Sequence, residues 1–98
     1  MSITSLLDLH LKPEAVADAP AVLTETLEAT RAFEGNLGVD VLRDAADEAH
    51  VLVLERWESL EADDAYRAWR ATPEGASRLG ELLSAPPVLT RFTTDPGI

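Results

Sequence analysis

The sequence predicts an α+β domain of the ferredoxin-like, split βαβ kind: element order β-α-β-β-α-α-β, with one antiparallel four-stranded sheet and helices on one face. Three observations predict it. Residues 51–59 read V-L-V-L-E-R-W-E-S, an extended run with Val51, Val53 and Trp57 on one side and Leu52 and Leu54 on the other, so both faces of this strand need a cover. Residues 3–11 and 88–94 alternate like strands, and the stretches after Asp18 and Ser59 carry apolar residues at helical spacing. Helices cover one face of such a sheet. The other would expose a row of Leu, Ile and Val, and a second copy of the chain is the expected cover, giving a homodimer.

Each element follows in order. In the first strand Ile3, Leu7, Leu9 and Leu11 share one face and Leu6, Asp8 and His10 the other, until Lys12-Pro13-Glu14 breaks it. Asp18 is placed to cap a helix with Pro20 in its first turn, running to about Ala32 and burying Val16, Leu23, Leu27 and Thr30. Glu34-Gly35-Asn36 is a turn, and Leu37, Val39 and Val41 form the inner row of a second strand ending at Arg43-Asp44. A polar hairpin loop over residues 44–48 leads to the third strand, Ala49 to Glu58. Ser59 caps the next helix, whose acidic first turns (Glu61, Asp63, Asp64) suit the positive helix end. Thr72-Pro73 interrupts that helix and restarts it, with Leu79, Leu82 and Leu83 as the buried stripe. Pro86-Pro87 stops it, and Val88 to Thr94 is the last strand, with Val88, Thr90 and Phe92 on one face and Leu89, Arg91 and Thr93 on the other.

Composition narrows the function classes. Ninety-eight residues suit one domain over 1–98. Eight Lys plus Arg against 18 Asp plus Glu give a net charge of -10, which repels nucleic acid and anionic lipid. No apolar run approaches the roughly 20 residues of a membrane span, and no basic-then-apolar leader opens the chain, so a cytoplasmic location is expected. Zero Cys removes thiolate nucleophiles and zinc-thiolate sites. With only His10 and His50, nitrogen ligands are few, and no metal and no cofactor are expected.

Gly35-Asn36-Leu37-Gly38 before a strand ending L-R-D, then V-L-V-L-E-R-W-E-S, then Y-R-A-W-R-A-T-P-E-G, together resemble the antibiotic biosynthesis monooxygenase (ABM) domain of the dimeric α/β barrel superfamily. The resemblance covers nearly the whole chain. It implies a homodimer whose two sheets pack into a barrel, with a pocket between sheet and helices in each subunit. Some members are cofactor-independent oxygenases acting on quinols or aromatic polyketides, others degrade haem, and many have no established activity. This chain departs from the family pattern in places. The helix position that commonly holds His is Trp69 when counted back from Thr72-Pro73, the count preferred here, and Tyr66 when counted forward from Trp57. An Asn common before the third-strand Trp is replaced by Val53. The haem-degrading pattern, an Asn on strand one and a His near Leu79, is missing.

The resemblance therefore implies a cofactor-independent monooxygenase acting on a phenolic, quinol or polyketide-like aromatic small molecule. Its competitor is a non-catalytic dimeric small-molecule binding or accessory domain, and whether the chain is an enzyme stays open between them. A stress-response or chaperone-like dimer shares the same architecture. In the catalytic reading His10 is the base, and Asn36, Trp57 and Arg91 are donors that stabilise an oxyanion. Trp57, Tyr66, Trp69 and Phe92 form the substrate-binding wall. Each also has a plainer role. Trp57 is by default a core aromatic, Tyr66 and Trp69 pack one helical face, and His10 is a surface or hydrogen-bonded residue. His50 is expected to be solvated, and Arg91 to pair with Glu55 or Asp8.

Overall fold

The computed structural model describes residues 2–98. Four strands, β1 (Ile3–His10), β2 (Asn36–Asp44), β3 (Asp47–Trp57) and β4 (Val88–Thr93), form one antiparallel sheet in the order β2-β3-β1-β4. Helices α1 (Ala19–Ala32) and α2 (Leu60–Arg70) supply the covered face. This is the ferredoxin-like arrangement expected from the sequence.

The period of two in β3 sets the layers. Val51, Val53, Glu55 and Trp57 are all buried, and β1 meets them in register with Leu9 opposite Val51 and Ile3 opposite Trp57. Helix α1 closes this core with Ala19, Val22, Leu23, Thr26, Leu27 and Thr30, the i, i+3, i+4 stripe of an amphipathic helix. Leu79, Leu82 and Leu83 pack against the same cluster. A second cluster of Ile3, Trp57 and Tyr66, with Phe33, Ala62 and Trp69 against it, fills the space between β3 and α2. On the opposite face Leu6, Leu52 and Leu54 are half-buried and Leu42, Val88 and Phe92 are exposed.

Four local expectations need correction. Asp18 precedes α1 but makes no side-chain cap, because its backbone is already helical; Pro20 lies in the first turn as expected. Only Val39 of the β2 inner row is buried, since β2 is an edge strand; Leu37 and Val41 stay exposed. The hairpin is tighter than expected, with β2 reaching Asp44 and β3 starting at Asp47. After α2 the chain does not restart an α-helix. Thr72 does receive the Gly75 N–H on its hydroxyl (3.2 Å), but that single turn ends, and the Leu stripe is carried by a 3-10 turn, Leu79–Leu82. By contrast Ser59 caps α2 as expected, accepting from the Ala62 N–H at 3.1 Å.

At Gly75 the backbone passes close against the last turn of α2. A side-chain carbon there would overlap the Trp69 carbonyl, whereas one at Gly80 would meet nothing within 4 Å. Gly75→Ala is accordingly expected to cost about 1–3 kcal/mol, the usual range for overpacking. Gly80→Ala should stay near neutral. Urea unfolding midpoints of the two variants check this, and equal midpoints would contradict it.

Candidate active site

Glu55 occupies the inward row of β3 between Val53 and Trp57, so the pleat drives a carboxylate into the core. Three groups meet it or its neighbours there. Arg67 of α2 donates to Glu55 Oε1 at 2.6 Å, and Trp57 Nε1 donates to the same oxygen at 3.1 Å. Asp63, fully buried one turn earlier on α2, accepts from Ser5 Oγ at 2.8 Å. Arg67 Nε lies 2.9 Å from Asp63 Oδ1 but out of line for a hydrogen bond, so charge alone holds that pair. Arg91 reaches in from β4, donating to Asp64 at 2.6 Å and standing 3.6 Å from Asp63. Burial pushes the Glu55 carboxyl above the usual glutamate range, and Arg67 and Trp57 only partly offset it.

Beside the carboxylate stands a packed aromatic wall. Trp57 and Tyr66 have ring centroids 5.0 Å apart, and Phe33 meets Tyr66 at 5.3 Å, Trp69 at 5.6 Å and Trp57 at 6.2 Å. The Tyr66 hydroxyl shares a 2.6 Å hydrogen bond with Thr30 and accepts from Arg70 Nε at 2.7 Å. Arg70 also donates to the Thr26 and Gly75 carbonyls, so it locks α2 to α1 and to the following turn. Phe33 separates this wall from a shallow cleft of about 590 Å³, lined by Phe33, Ala62, Ala65, Glu34, Glu58 and Glu61 among others. Its size falls within the range of small-molecule sites.

Asn36 faces Trp57 across the β2–β3 ladder. Its Oδ1 accepts the Gly38 N–H at 3.0 Å, while its buried Nδ2 has no partner among the described residues. Such an orphan donor is uncommon in a folded chain and is free to serve a ligand oxygen.

The expected site residues thus divide. Trp57, Tyr66, Trp69 and Asn36 come together between β3 and α2. Arg91 adjoins them, but its partners are Asp64 and Asp63 in place of the expected Glu55 or Asp8: it stands opposite Ser5 under α2, and Asp8 projects from the other face. Phe92 is exposed on that other face. His10 lies there too, its ring stacked on His50 with centroids 4.7 Å apart. The sheet itself therefore separates His10 from Trp57. Nor is His50 simply solvated, since it hydrogen-bonds Asp8 and Asp44, both at 2.8 Å, and Asp44 followed by Asp8 raises its pKa.

Glu55, Asp63 and Arg67 were missed by sequence reasoning. The signal was present: a Glu at an inward strand position, and an Asp and Arg four apart on the helix that follows.

An antiparallel four-stranded sheet with two helices on one face is the ferredoxin-like fold of ABM domains. The chain belongs to the antibiotic biosynthesis monooxygenase family, whose match spans residues 2–76. A conserved protein from Methanosarcina mazei superposes with TM-score 0.84 at 19% identity, over 97% of this chain and 94% of that one. Rv0793 from Mycobacterium tuberculosis gives 0.78 at 24% identity, over 96% and 95%. A variant of SnoaB, a cofactor-independent oxygenase from Streptomyces nogalater, gives 0.77 at 19% identity, over 95% and 92%. At these identities the likeness establishes the fold. No curated protein matches the chain.

The buried carboxylate has a consequence for stability. A raised folded-state pKa means that Glu55 favours folding below the unfolded-state pKa, and that this contribution is lost as pH rises through the folded-state value. Wild type should therefore lose stability relative to Glu55→Gln as pH climbs from the ordinary glutamate range upward. Urea midpoints of both proteins across pH check the sign; parallel profiles would contradict it.

Proposed function

We propose that this chain is a cofactor-independent monooxygenase acting on a neutral, electron-rich aromatic molecule such as a phenol, anthrone or hydroquinone, with Glu55 as the proton acceptor. The observation that carries the reading is the Glu55 carboxyl, buried against Trp57 and held with raised proton affinity. A carboxylate so placed takes a proton more readily than an ordinary glutamate, as a general base requires. Family membership and the oxygenase among the structural neighbours support the reaction class.

In this mechanism the ring system enters through the cleft beside Phe33 and displaces that side chain to reach Trp57 and Tyr66. The acidic rim of Glu34, Glu58 and Glu61 favours uncharged over anionic substrates. Glu55 takes a proton from the substrate, and Asn36 Nδ2 donates to the oxyanion that forms. The anion then passes electrons to dioxygen. For an anthrone-type methylene, one oxygen atom remains as the new carbonyl and the other leaves as water with the two hydrogens of that carbon. The exposed Leu42, Val88 and Phe92 on the bare sheet face are covered in this reading by a second copy, a homodimer.

A non-catalytic binding or accessory domain is the second reading. Trp57 is fully buried and in contact with its aromatic neighbours, which is what a purely structural centre would also show. Oxygen uptake with anthrone and hydroquinone separates the two. Wild type should consume oxygen above the buffer rate, and Glu55→Gln should lower the rate by about 10²–10⁴-fold, the usual worth of a general base. No uptake by the folded wild-type protein would favour the second reading.

A further inference from the structure

Away from the aromatic centre, on the opposite face of the sheet, β1 and β3 bring together two imidazoles and a carboxylate. Asp8 and His10 are two residues apart on one strand and so share a face, and His50 stands directly opposite His10 in the ladder. That register stacks the two rings at 4.7 Å and within 3° of parallel. Asp8 Oδ1 lies 2.8 Å from His50 Nε2 and 3.4 Å from His10 Nε2. One donor atom from each of the three residues lies within 4.8 Å of the others. Two further contacts hold the set. Asp44 Oδ2 stands 2.8 Å from His50 Nδ1, which leaves Nε2 as the ring's other binding atom. Ser84 donates through its N–H (2.8 Å) and hydroxyl (3.2 Å) to the His10 carbonyl, fixing the backbone beneath that ring.

We propose that Asp8, His10 and His50 form a binding site for one divalent transition-metal ion, with Asp44 orienting His50 from behind. Ligands about 2.0–2.2 Å from a tetrahedral ion sit about 3.4 Å from one another, the separation Asp8 and His10 already have. To converge on one ion, His50 Nε2 moves outward from Asp8 and the two rings turn out of their parallel stack, since each nitrogen lone pair lies in its ring plane. His10 has the freedom to do so, with just over half of its side chain exposed (54%). A cation would draw on all three groups together, replacing the hydrogen bond between Asp8 and His50. Two imidazole nitrogens and one carboxylate oxygen select zinc, copper, nickel or cobalt over magnesium or calcium, which prefer all-oxygen shells. This site is independent of the proposed oxygenase chemistry, whose residues lie across the sheet.

Cobalt(II) is the probe, added to tag-free full-length protein at mildly alkaline pH and followed by visible absorption, with zinc as competitor. Wild type should bind one cobalt per chain with ligand-field bands, and zinc but not excess magnesium should displace it. His10→Ala, His50→Ala and Asp8→Asn should each weaken binding at least tenfold, and Asp44→Asn by about 10–100-fold, the usual cost of losing a partner behind a ligating histidine. Far-UV circular dichroism verifies that each variant folds. Should His50→Ala unfold, the half-exposed His10→Ala carries the test. No saturable binding up to millimolar cobalt, equal displacement by magnesium, or unchanged affinity in any folded variant would overturn the site.

Discussion

Every inward position of the central strand from Val51 to Trp57 is buried, and one of them is a glutamate. A charge taken out of water at that depth is costly unless partners replace the lost hydration, and α2 supplies them. Arg67 and Trp57 reach Glu55, Asp63 balances Arg67 by charge, Ser5 of β1 hydrogen-bonds Asp63, and Arg91 of β4 adds a positive charge 3.6 Å from it. The seating of α2 on the sheet follows from this set as much as from its apolar residues, since Tyr66 is its main buried hydrophobe. A second polar lock, Arg70 with Tyr66 and Thr30, ties the same helix to α1. The helix that walls the candidate site is thus held largely by directional contacts, which fix its register more sharply than apolar packing alone.

The sheet divides the molecule chemically. One face carries a buried aromatic wall with a carboxylate of raised proton affinity and an amide donor that has no partner among the described residues. The other carries leucines, Val88 and Phe92 along most of its length and the imidazole-carboxylate set at one end. On the first face Trp57 donates to Glu55 and stands opposite Asn36 in the ladder, with His10 beyond the backbone layer. In the proposed oxygenase reaction the base is Glu55, the oxyanion donor is Asn36, and the buried aromatic wall keeps water out.

Much of the fold was legible because period and punctuation agree. The double-sided strand at 51–57 and the Ser59 cap each appear where the residues require, whereas Pro86-Pro87 has no helix to stop, the 3-10 turn having ended at Leu82. What was not legible depends on spatial register. Nothing local in the chain says that His10 stands opposite His50, forty residues away, or that Asp44 closes onto the far side of the same ring. Arg91 likewise has its partner chosen by the position of β4 beside β1 and the overhang of α2. The restart of a helix after Thr72 failed for a local reason: Gly75 packs against the Trp69 carbonyl, and the chain turns away. Glu55 was readable from its place in the alternation, and its significance emerged only with its burial.

A direct measurement of the Glu55 carboxyl tests the centre of this account. Carbon-13 labelling of glutamate side chains, with Glu55 assigned by comparison to Glu55→Gln, follows its chemical shift through a pH titration of the folded protein. A midpoint above the ordinary glutamate range is expected. A midpoint at or below that range would mean that Arg67 and Trp57 outweigh burial, leaving Glu55 a structural anion with no aptitude for taking a proton from a substrate.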